Sequence, residues 1–309
     1  MLSTRNSQVA LKIEGVEGVK ETLAAADFIL ASSPKFTPGI KMYERADKAV
    51  AGDMSPVANI PGLRDGKISF EVELCGAAAA GTAPHYSAAL RCCGVGETIV
   101  ALTSVAYKPI SVNIPSCTVA IYEDGKIKRI WGARGTCTIK YNNGEPAVAS
   151  FTFTGADWEV VDGDLLTGVT YPAVVPPTFQ EVTFSIGGYE ANINAMEIDL
   201  GNTVALRKGV SAASGHISAR ITGRKPTLKI DPEDVLVAAH DFFGTWRAGT
   251  PVALSASMGS TAGNTIATTA PKAQYQSVSA AEREKLATLD INALLSRNLG
   301  NDEWQILIT

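Results

Sequence analysis

Apolar and polar residues alternate along much of the chain, with the period of two that half-buried β-strands show. The stretch "KISFEVEL", which starts at Lys67, is a clear example. Further on, the dipeptides Asp124-Gly125 and Asn143-Gly144 separate alternating segments, and both favour the positive backbone angles of tight hairpin turns. The pattern therefore predicts an antiparallel β unit over residues 67–170.

Two segments break this alternation and have helical spacing instead. In "TAPHYSAALRCCG", Pro84 is a typical first helical residue and a glycine ends the segment. In "DPEDVLVAAHDFFGTW", Asp231 is a candidate N-cap and Pro232 follows at the first helical position. Strand-like segments, "TPVALSASMG" and "NTIATTAPKAQYQ", come next. These signals predict a mainly β (α+β) fold whose two halves each carry one short flanking helix.

Similar segments in the two halves indicate a duplicated unit. "ASFTFTG" at 149–155 resembles "ISARITG" at 217–223, and residues 119–130 align without gaps against residues 182–193. This alignment places Asp124-Gly125 opposite Gly187-Gly188 and Ile139 opposite Ile198. The order of the flanking elements differs between the halves, so coincidence and a permuted or misplaced second copy stay open as alternatives. The prediction is an arm over 1–66, a first β domain over 67–170 and a second over 171–309.

Two segments fall outside the predicted units. Residues 33–66 are rich in proline and glycine, and long irregular segments inside a compact domain tend to be functional. This segment carries apolar residues at irregular intervals, which an arm lying on a neighbouring subunit would bury: Phe36, Ile40, Met42, Tyr43 and Ile60. The C-terminal segment ends in an apolar run that would leave an open strand edge unless something pairs with it.

Composition and charge narrow the possible partners. The chain has 309 residues, a formal net charge of −4 and a pI of about 5.5, so it lacks the broad basic face of a general duplex-binding protein. Arg207-Lys208, Arg220 and Arg224-Lys225 form the most basic stretch, and such residues could contact phosphate. Because the chain is acidic overall, ion pairs between subunits or solvation are the favoured interpretations. No leader-like segment or long apolar run occurs, which predicts a soluble protein kept in a cytosol.

No residue pattern indicates an active site. Five cysteines are too few and too irregularly spaced for a disulfide framework, and they fit small buried apolar residues. His85 with Cys92 and Cys93 is the one cluster that suggests a thiol or metal hydrolase, but it lacks a fourth ligand at a usual spacing. "GVGETI" at 94–99 lacks the features of a nucleotide loop and fits a turn. The sequence thus predicts no enzyme, no cofactor and no metal.

A series of segments in order along the chain resembles the major tail (tail tube) proteins of long-tailed bacteriophages. The resemblance covers nearly the whole chain and rests on these stretches: "ADFILASSPKFTPGIKMYERA", "IPGLRDGKISFEVELCGAAAAGTAPHYSAALRCCGVGE", "GARGTCTIKYNNGEPAVASFTFTG", "SIGGYEANINAMEIDLGN" and "GHISARITGRKP". It implies β-sandwich or barrel units, strands that join across subunits, and rings that stack through loops and arms.

For a chain with two such units, the resemblance implies rings of three subunits with pseudo-sixfold symmetry. It also implies a place in the virion tail after synthesis in the host bacterial cytoplasm, the passage of viral DNA, and no membrane binding. The implied partners are other copies of the chain, a tape-measure protein, and tail terminator and tip proteins. A low-copy tail tip, baseplate or receptor-binding module of the same fold is the alternative.

Acidic residues on predicted strands are candidates for the lining of the channel through which viral DNA would pass. Glu71 and Glu73 alternate with apolar residues, so their carboxylates share one face of a strand. Paired acids also serve in acid/base catalysis, but no nucleophile or base accompanies these two, and a solvated face is the favoured interpretation. Because a wall along which DNA slides should repel phosphate or engage it weakly, Glu71, Glu73, Glu197 and Asp199 are predicted to line the channel.

Overall fold

The computed structural model describes residues 5–45 and 55–309, and its named strands all pair antiparallel. The strands of the first half are β1 Ser7–Ile13, β2 Phe28–Ile29, β3 Ser32–Tyr43, β4 Ile60–Glu73, β5 Val95–Val100, β6 Ser104–Pro109, β7 Cys117–Glu123, β8 Lys126–Asn142, β9 Val148–Gly155 and β10 Asp157–Asp162. Those of the second half are β11 Thr183–Ile186, β12 Ala195–Asp199, β13 Asn202–Lys208, β14 His216–Arg224, β15 Thr227–Ile230, β16 Val252–Met258, β17 Ile266–Arg283, β18 Leu286–Leu295 and β19 Gln305–Ile308. The predicted mainly β fold is confirmed.

A short 3-10 helix, Ala25–Asp27, and two short α-helices accompany the strands in residues 5–45 and 55–309. Helix α1 spans Ser87–Cys92, inside the segment that the sequence predicted, but it begins three residues after Pro84, so the prediction that Pro84 is its first residue is wrong. Helix α2 spans Phe242–Ala248, so the prediction that it starts at Asp231 is wrong. Asp231 instead accepts hydrogen bonds from the backbone N–H groups of Asn194 and Ala195, at 2.9 and 2.7 Å, and thereby anchors the start of β12. The cap of α2 is Asp241, whose carboxylate accepts from the Gly244 N–H at 2.7 Å.

The turn predictions have mixed outcomes. Asp124-Gly125 joins β7 to β8, with Glu123 opposite Lys126, as predicted. Asn143-Gly144 lies in the connection between β8 and β9. Gly187-Gly188 makes a tight turn, closed by a bridge between Ile186 and Tyr189, but β11 pairs with β16 and not with the segment that follows the turn.

The Pro/Gly-rich segment forms a long β-hairpin. Strand β3 pairs with β4 from Ser32 opposite Glu71 to Tyr43 opposite Ile60. Residues 46–54, which belong to the predicted arm, lie outside the described residues. The apolar run at the C-terminus forms β19, which pairs with β17 on one side and β6 on the other, so this edge is closed within the chain.

The strands of the two halves correspond in order and in register, although differently from the sequence alignment. The correspondence matches β7 with β16, β8 with β17, β9 with β18 and β10 with β19. It also matches β4 with β15, β3 with β12, and β1 with β11. Both central hairpins have the same irregularity, with one residue skipped on the first strand and two on the second. The flanking pairs are Cys117↔Ala133 and Val119↔Ile130 in the first half, and Val252↔Ala273 and Leu254↔Ala270 in the second.

This correspondence overturns the alignment of 149–155 with 217–223. The first stretch lies in β9, whereas the second lies in β14, part of a separate two-stranded ribbon with β13. Ile139 and Ile198 are not equivalent positions but direct partners between β8 and β12. By their registers the strands form two corresponding sets, β1–β10 and β11–β19. The predicted domain boundaries at residues 66 and 170 stay a prediction.

A single sheet runs through both halves and carries the core. Its consecutive pairings follow the order β3–β4–β9–β8–β12–β15–β18–β17. One face is apolar and buried across the junction between the halves, and a row of directly opposite residues on it comprises Val72, Ala149, Ile139, Ile198, Leu228 and Ala293. Because these side chains belong to one hydrophobic cluster, the two halves share a core.

Candidate assembly surfaces

The opposite face of this sheet is polar, and it brings together the four acids that the sequence singled out. Directly opposite residues on neighbouring strands share a face, as do residues two apart on one strand. One row consists of Glu71, Ser150, Thr138, Asp199 and Thr227. The next row consists of Glu73, Val148, Lys140, Glu197 and Lys229. The four carboxylates therefore lie on one surface that spans both halves.

Lysines and hydroxyls on the same face moderate this negative charge. Glu197 lies between Lys140 and Lys229, with N···O distances of 3.8 and 3.4 Å. Asp199 accepts hydrogen bonds from the Thr138 hydroxyl at 3.3 Å and the Gly201 N–H at 2.9 Å. The Glu71 carboxylate accepts from the Ser150 hydroxyl at 3.2 Å, while Glu73 is exposed. The surface is thus hydroxyl-rich with mixed charge and no dense cluster of one sign.

The sheet ends in a free strand edge on each side. At one end, within the described part of the chain, β3 pairs only with β4, and most of its residues are exposed. At the other end, the stretch Ser279–Arg283 of β17 pairs with β18 alone, and residues 279–282 are exposed. Unpaired edges are templates for joining another chain. The sequence did not predict this second edge, although the charged run "EREK" at 282–285 is typical of exposed strand edges.

The five apolar arm residues lie on the β3–β4 hairpin in two different environments. Ile40, Met42, Tyr43 and Ile60 are exposed toward the hairpin end, with 42–51 % of their surface accessible. Phe36 is half-buried and packs edge-on against Trp158 of the same chain, with ring centroids 5.8 Å apart. The hairpin end therefore presents an apolar surface, while Phe36 anchors the base of the hairpin to the core.

Two arginines of the basic stretch form ion pairs within the chain. Arg220 pairs with Glu17 at 2.8 Å, and Arg224 pairs with Glu303 at 3.0 Å. These contacts lie inside one chain, where the Arg224 side chain is 18 % exposed and the Arg220 side chain is 48 % exposed. Solvation and ion pairs between subunits stay predictions for this stretch. The charge that the stretch offers to phosphate is correspondingly reduced.

A buried polar cluster, which the sequence did not reveal, fastens the N-terminal segment to β8 and the β13–β14 ribbon. The Arg134 guanidinium donates to the Ile114 carbonyl and to Glu17 Oε1, the latter at 2.7 Å, and it also contacts the Ala219 carbonyl. Glu17 accepts a further hydrogen bond from Ser218 at 2.6 Å, and the Ser218 and Arg134 hydrogen bonds lower the pKa of Glu17 despite its partial burial. The cluster joins residues far apart in sequence, which is why no local pattern indicated it.

The cluster of His85, Cys92 and Cys93 has the environment of a core. Both thiols are buried, and burial lowers the pKa of His85, which keeps its ring neutral near pH 7. "GVGETI" lies mostly in β5, at the start of the β5–β6 hairpin, so its interpretation as a turn is wrong for all but Gly94. Among residues 5–45 and 55–309, no group of three His, Cys, Asp or Glu side chains is arranged to hold a metal ion. In the same part of the chain, no helix has the length and apolar character needed to cross a membrane.

The native protein is expected to resist thiol reagents. Burial raises the pKa of Cys75 to about 11 and also raises the pKa values of Cys93, Cys117 and Cys137 above that of a free thiol, and the thiolate is the reactive form. At pH 8, 5,5′-dithiobis(2-nitrobenzoic acid) should therefore titrate almost no thiol in the folded chain and all five in guanidinium. Rapid reaction of Cys92 or Cys93 in the native protein would restore the nucleophile hypothesis.

Comparison with protein families gave a match over most of the chain. The family model described as phage tail tube protein matches residues 4–293. A comparison with curated proteins gave no match. The family match is consistent with a chain whose most distinctive features are a continuous polar sheet face and two free strand edges.

Proposed function

Because the chain belongs to the phage tail tube protein family, we propose that three copies close into a ring and that stacked rings form the conduit for viral DNA. Membership of this family gives the chain a structural role in the virion tail. The ring, its three subunits, the DNA passage and the absence of enzymatic activity belong to the proposal. So do synthesis in the host cytoplasm and contacts with tape-measure, terminator and tip proteins.

The observation that carries the proposal is the sheet built from two corresponding halves, with a free edge at each end. Each half contributes four strands, and β12 of the second half already continues the sheet from β8 of the first. Three chains would therefore supply about 24 strands to a closed barrel. With a strand spacing of about 4.8 Å and a tilt of about 40°, such a barrel has a backbone diameter of about 48 Å, wide enough for a DNA duplex.

The polar face is the surface that suits the channel. The opposite, apolar face of the sheet is already buried in the chain's own core, so the polar face is the one left to line the interior of a closed barrel. Glu71, Glu73, Glu197 and Asp199 would repel phosphate, while Lys140 and Lys229 limit that repulsion. A wall of this kind holds DNA weakly, which favours sliding. The exposed apolar end of the β3–β4 hairpin would contact a neighbouring ring.

Electron microscopy of the purified protein, after sizing by light scattering, tests this proposal. We expect rings or tubes with a central channel, three chains per ring, and the polar face on the channel. Six chains per ring, or the four acids on the outer surface, would refute the pseudo-sixfold ring or the proposed lining, respectively. A small oligomer without a channel, even when a tail initiator is supplied, would favour the low-copy tip module.

A further inference from the structure

We infer that the ring closes by pairing the segment Lys35–Thr37 of β3 with the segment Ser279–Ala281 of β17 in the next copy of the chain. The inference rests on the proposed ring and specifies its contact by residue. Its template lies inside the chain, where β12 pairs with β8 from Ala195 opposite Asn142 to Asp199 opposite Thr138. The corresponding strands of the outer edges, β3 and β17, have no such partner among residues 5–45 and 55–309.

Pairing registers make β3 the counterpart of β12. Strand β4 corresponds to β15, since Lys67 lies opposite Thr154 of β9, and Thr227 lies opposite Leu294 of β18. Lys67 also faces Thr37, and Thr227 faces Asp199. Thr37 therefore corresponds to Asp199, and the two preceding residues of each strand correspond in turn. These pairs are Phe36 with Ile198 and Lys35 with Glu197.

The same comparison makes β17 the counterpart of β8. Arg134 of β8 faces Thr154, and Gln274 of β17 faces Leu294. Beyond this point β17 contains one extra residue, because its register shifts between Tyr275 and Ser277. Allowing for that residue, Ser279, Ala280 and Ala281 correspond to Thr138, Ile139 and Lys140. The predicted pairs across the subunit boundary are Thr37 with Ser279, Phe36 with Ala280, and Lys35 with Ala281.

Side-chain faces agree with this register. Lys35 lies opposite Ser69, two residues from Glu71, which places it on the polar face. Ala281 lies opposite Thr288 of β18, on the same side of the sheet as Asp290 and Asn292, which continue the polar face. A one-residue slip would place each polar position opposite a core position, so the match of faces excludes shifts by an odd number of residues.

The central pair of the proposed contact combines a large and a small side chain. In the internal junction, which is the pairing of β12 with β8, Ile139 and Ile198 meet on the core side, and both are fully buried. Across the proposed junction, a large Phe36 meets a small Ala280, which is exposed in the single chain. Pro34 and Pro38 flank the β3 segment, and because proline cannot donate a ladder hydrogen bond, they confine the new pairing to the residues between them.

A cavity lies where the turn between β17 and β18 would arrive. In the internal junction, the Asn143 N–H donates to the Asn194 carbonyl just beyond the paired strands, at 2.9 Å. Because β3 has one extra residue between Ser32 and Lys35, the corresponding contact brings the turn at Glu284-Lys285 to Ala31, which lines a cavity of about 270 Å³. Its lining includes the apolar residues Leu30, Pro172 and Val174. Leu286, which is 57 % exposed, is the apolar residue next to this turn.

A cysteine pair tests the junction directly. The double variant Lys35→Cys/Ala281→Cys places two thiols at one predicted pair on the polar face, and the five native cysteines are buried. With a short bismaleimide, we expect denaturing gels to show dimers and then a covalent trimer as the end product. The register control is Lys35→Cys/Glu282→Cys, whose second thiol points to the other face and should crosslink far less. Each single variant should give no covalent trimer.

The outcomes separate the junction from the ring. Rings visible by electron microscopy without crosslinking of the first pair, or with stronger crosslinking of the 35/282 pair, would overturn the register and leave the ring standing. Absence of rings for the unsubstituted chain, with the initiator present, would overturn both. Equal unfolding midpoints for the two double variants exclude misfolding as the cause of any difference between them.

Discussion

Replacement of Glu14 by alanine is expected to lower the free energy of unfolding by about 4 kcal/mol, because it leaves several buried donors without an acceptor. The Glu14 carboxylate is 8 % exposed. It accepts hydrogen bonds from the Gly18 and Gly132 N–H groups at 2.8 and 2.6 Å, and from the hydroxyls of Ser116 and Thr118 at 2.6 and 3.2 Å. Gly132 has a φ of 59°, in the irregular stretch of β8 where its N–H has no strand partner. Urea unfolding monitored by tryptophan fluorescence measures the loss.

Two further variants make the Glu14 result interpretable. Glu14→Gln keeps one oxygen acceptor and should lose less stability than Glu14→Ala. Glu190→Ala removes an exposed carboxylate and should change stability by less than about 0.5 kcal/mol. If Glu14→Ala were as stable as Glu190→Ala, the buried carboxylate would not hold the N-terminal segment against β8.

Truncation of the core in either half is expected to shift one common unfolding transition. Phe151 of β9 and Ile291 of β18 occupy corresponding buried positions, and Phe151 stacks on Phe153 with ring centroids 6.1 Å apart. Phe151→Ala should cost about 4 kcal/mol and Ile291→Ala about 3 kcal/mol, through lost burial and the cavity left behind. Because the halves share a core and the β8–β12 and β6–β19 pairings, each variant should lower the same midpoint.

Calorimetry at a protein concentration below that of ring formation provides this measurement, since assembly would add concentration-dependent stability. Ile99→Ala, at a residue that is 50 % exposed, is the surface control and should leave the transition nearly unchanged. Two separate transitions, with Phe151→Ala shifting one and Ile291→Ala the other, would show that the halves unfold independently.

The pairing of β12 with β8 inside the chain also bears on how copies of the chain assemble. The pairing of β12 with β8 forms during the folding of one chain, whereas the inferred pairing of β3 with β17 waits for a second copy. The first is a permanent part of the core, and the second is a short edge contact of about three residue pairs. A single chain can therefore reach a stable fold with two open edges, and assembly adds strands without refolding the sheet.

Local features of the fold were predictable from the sequence because their causes are local. The alternation in "KISFEVEL" reflects a strand with one buried face, and Asp124-Gly125 supplies the positive φ that a two-residue hairpin requires. Helix α1 follows from the helical spacing of alanine and leucine after Pro84, although Pro84 itself lies outside the helix. The placement of Glu71 and Glu73 on the same face of one strand also follows from the two-residue period of a strand.

The start of α2 and the form of the repeat depended on distant residues. Asp231 has the signature of an N-cap, but the N–H groups of Asn194 and Ala195 compete for its carboxylate, and Arg283 pairs with it at 2.9 Å. The similarity of 149–155 to 217–223 reflects two strands of like pattern in different sheets. The correct correspondence is carried by strand registers and one shared irregularity, which leave little trace in residue identities.

Periodicity and turn chemistry act over a few residues, so the strand-rich fold and the face on which each strand places its acids could be predicted from the sequence, whose ordered segments also carry the resemblance to tail tube proteins. The pairing of strands was not predictable in this way. It fixes which strands are neighbours, which two edges stay open, and that the acids Glu71, Glu73, Glu197 and Asp199 share one surface with Lys140 and Lys229. Strand pairing joins backbone groups, which every residue carries alike. The choice of partner is therefore made by packing across the whole chain and not by any local pattern.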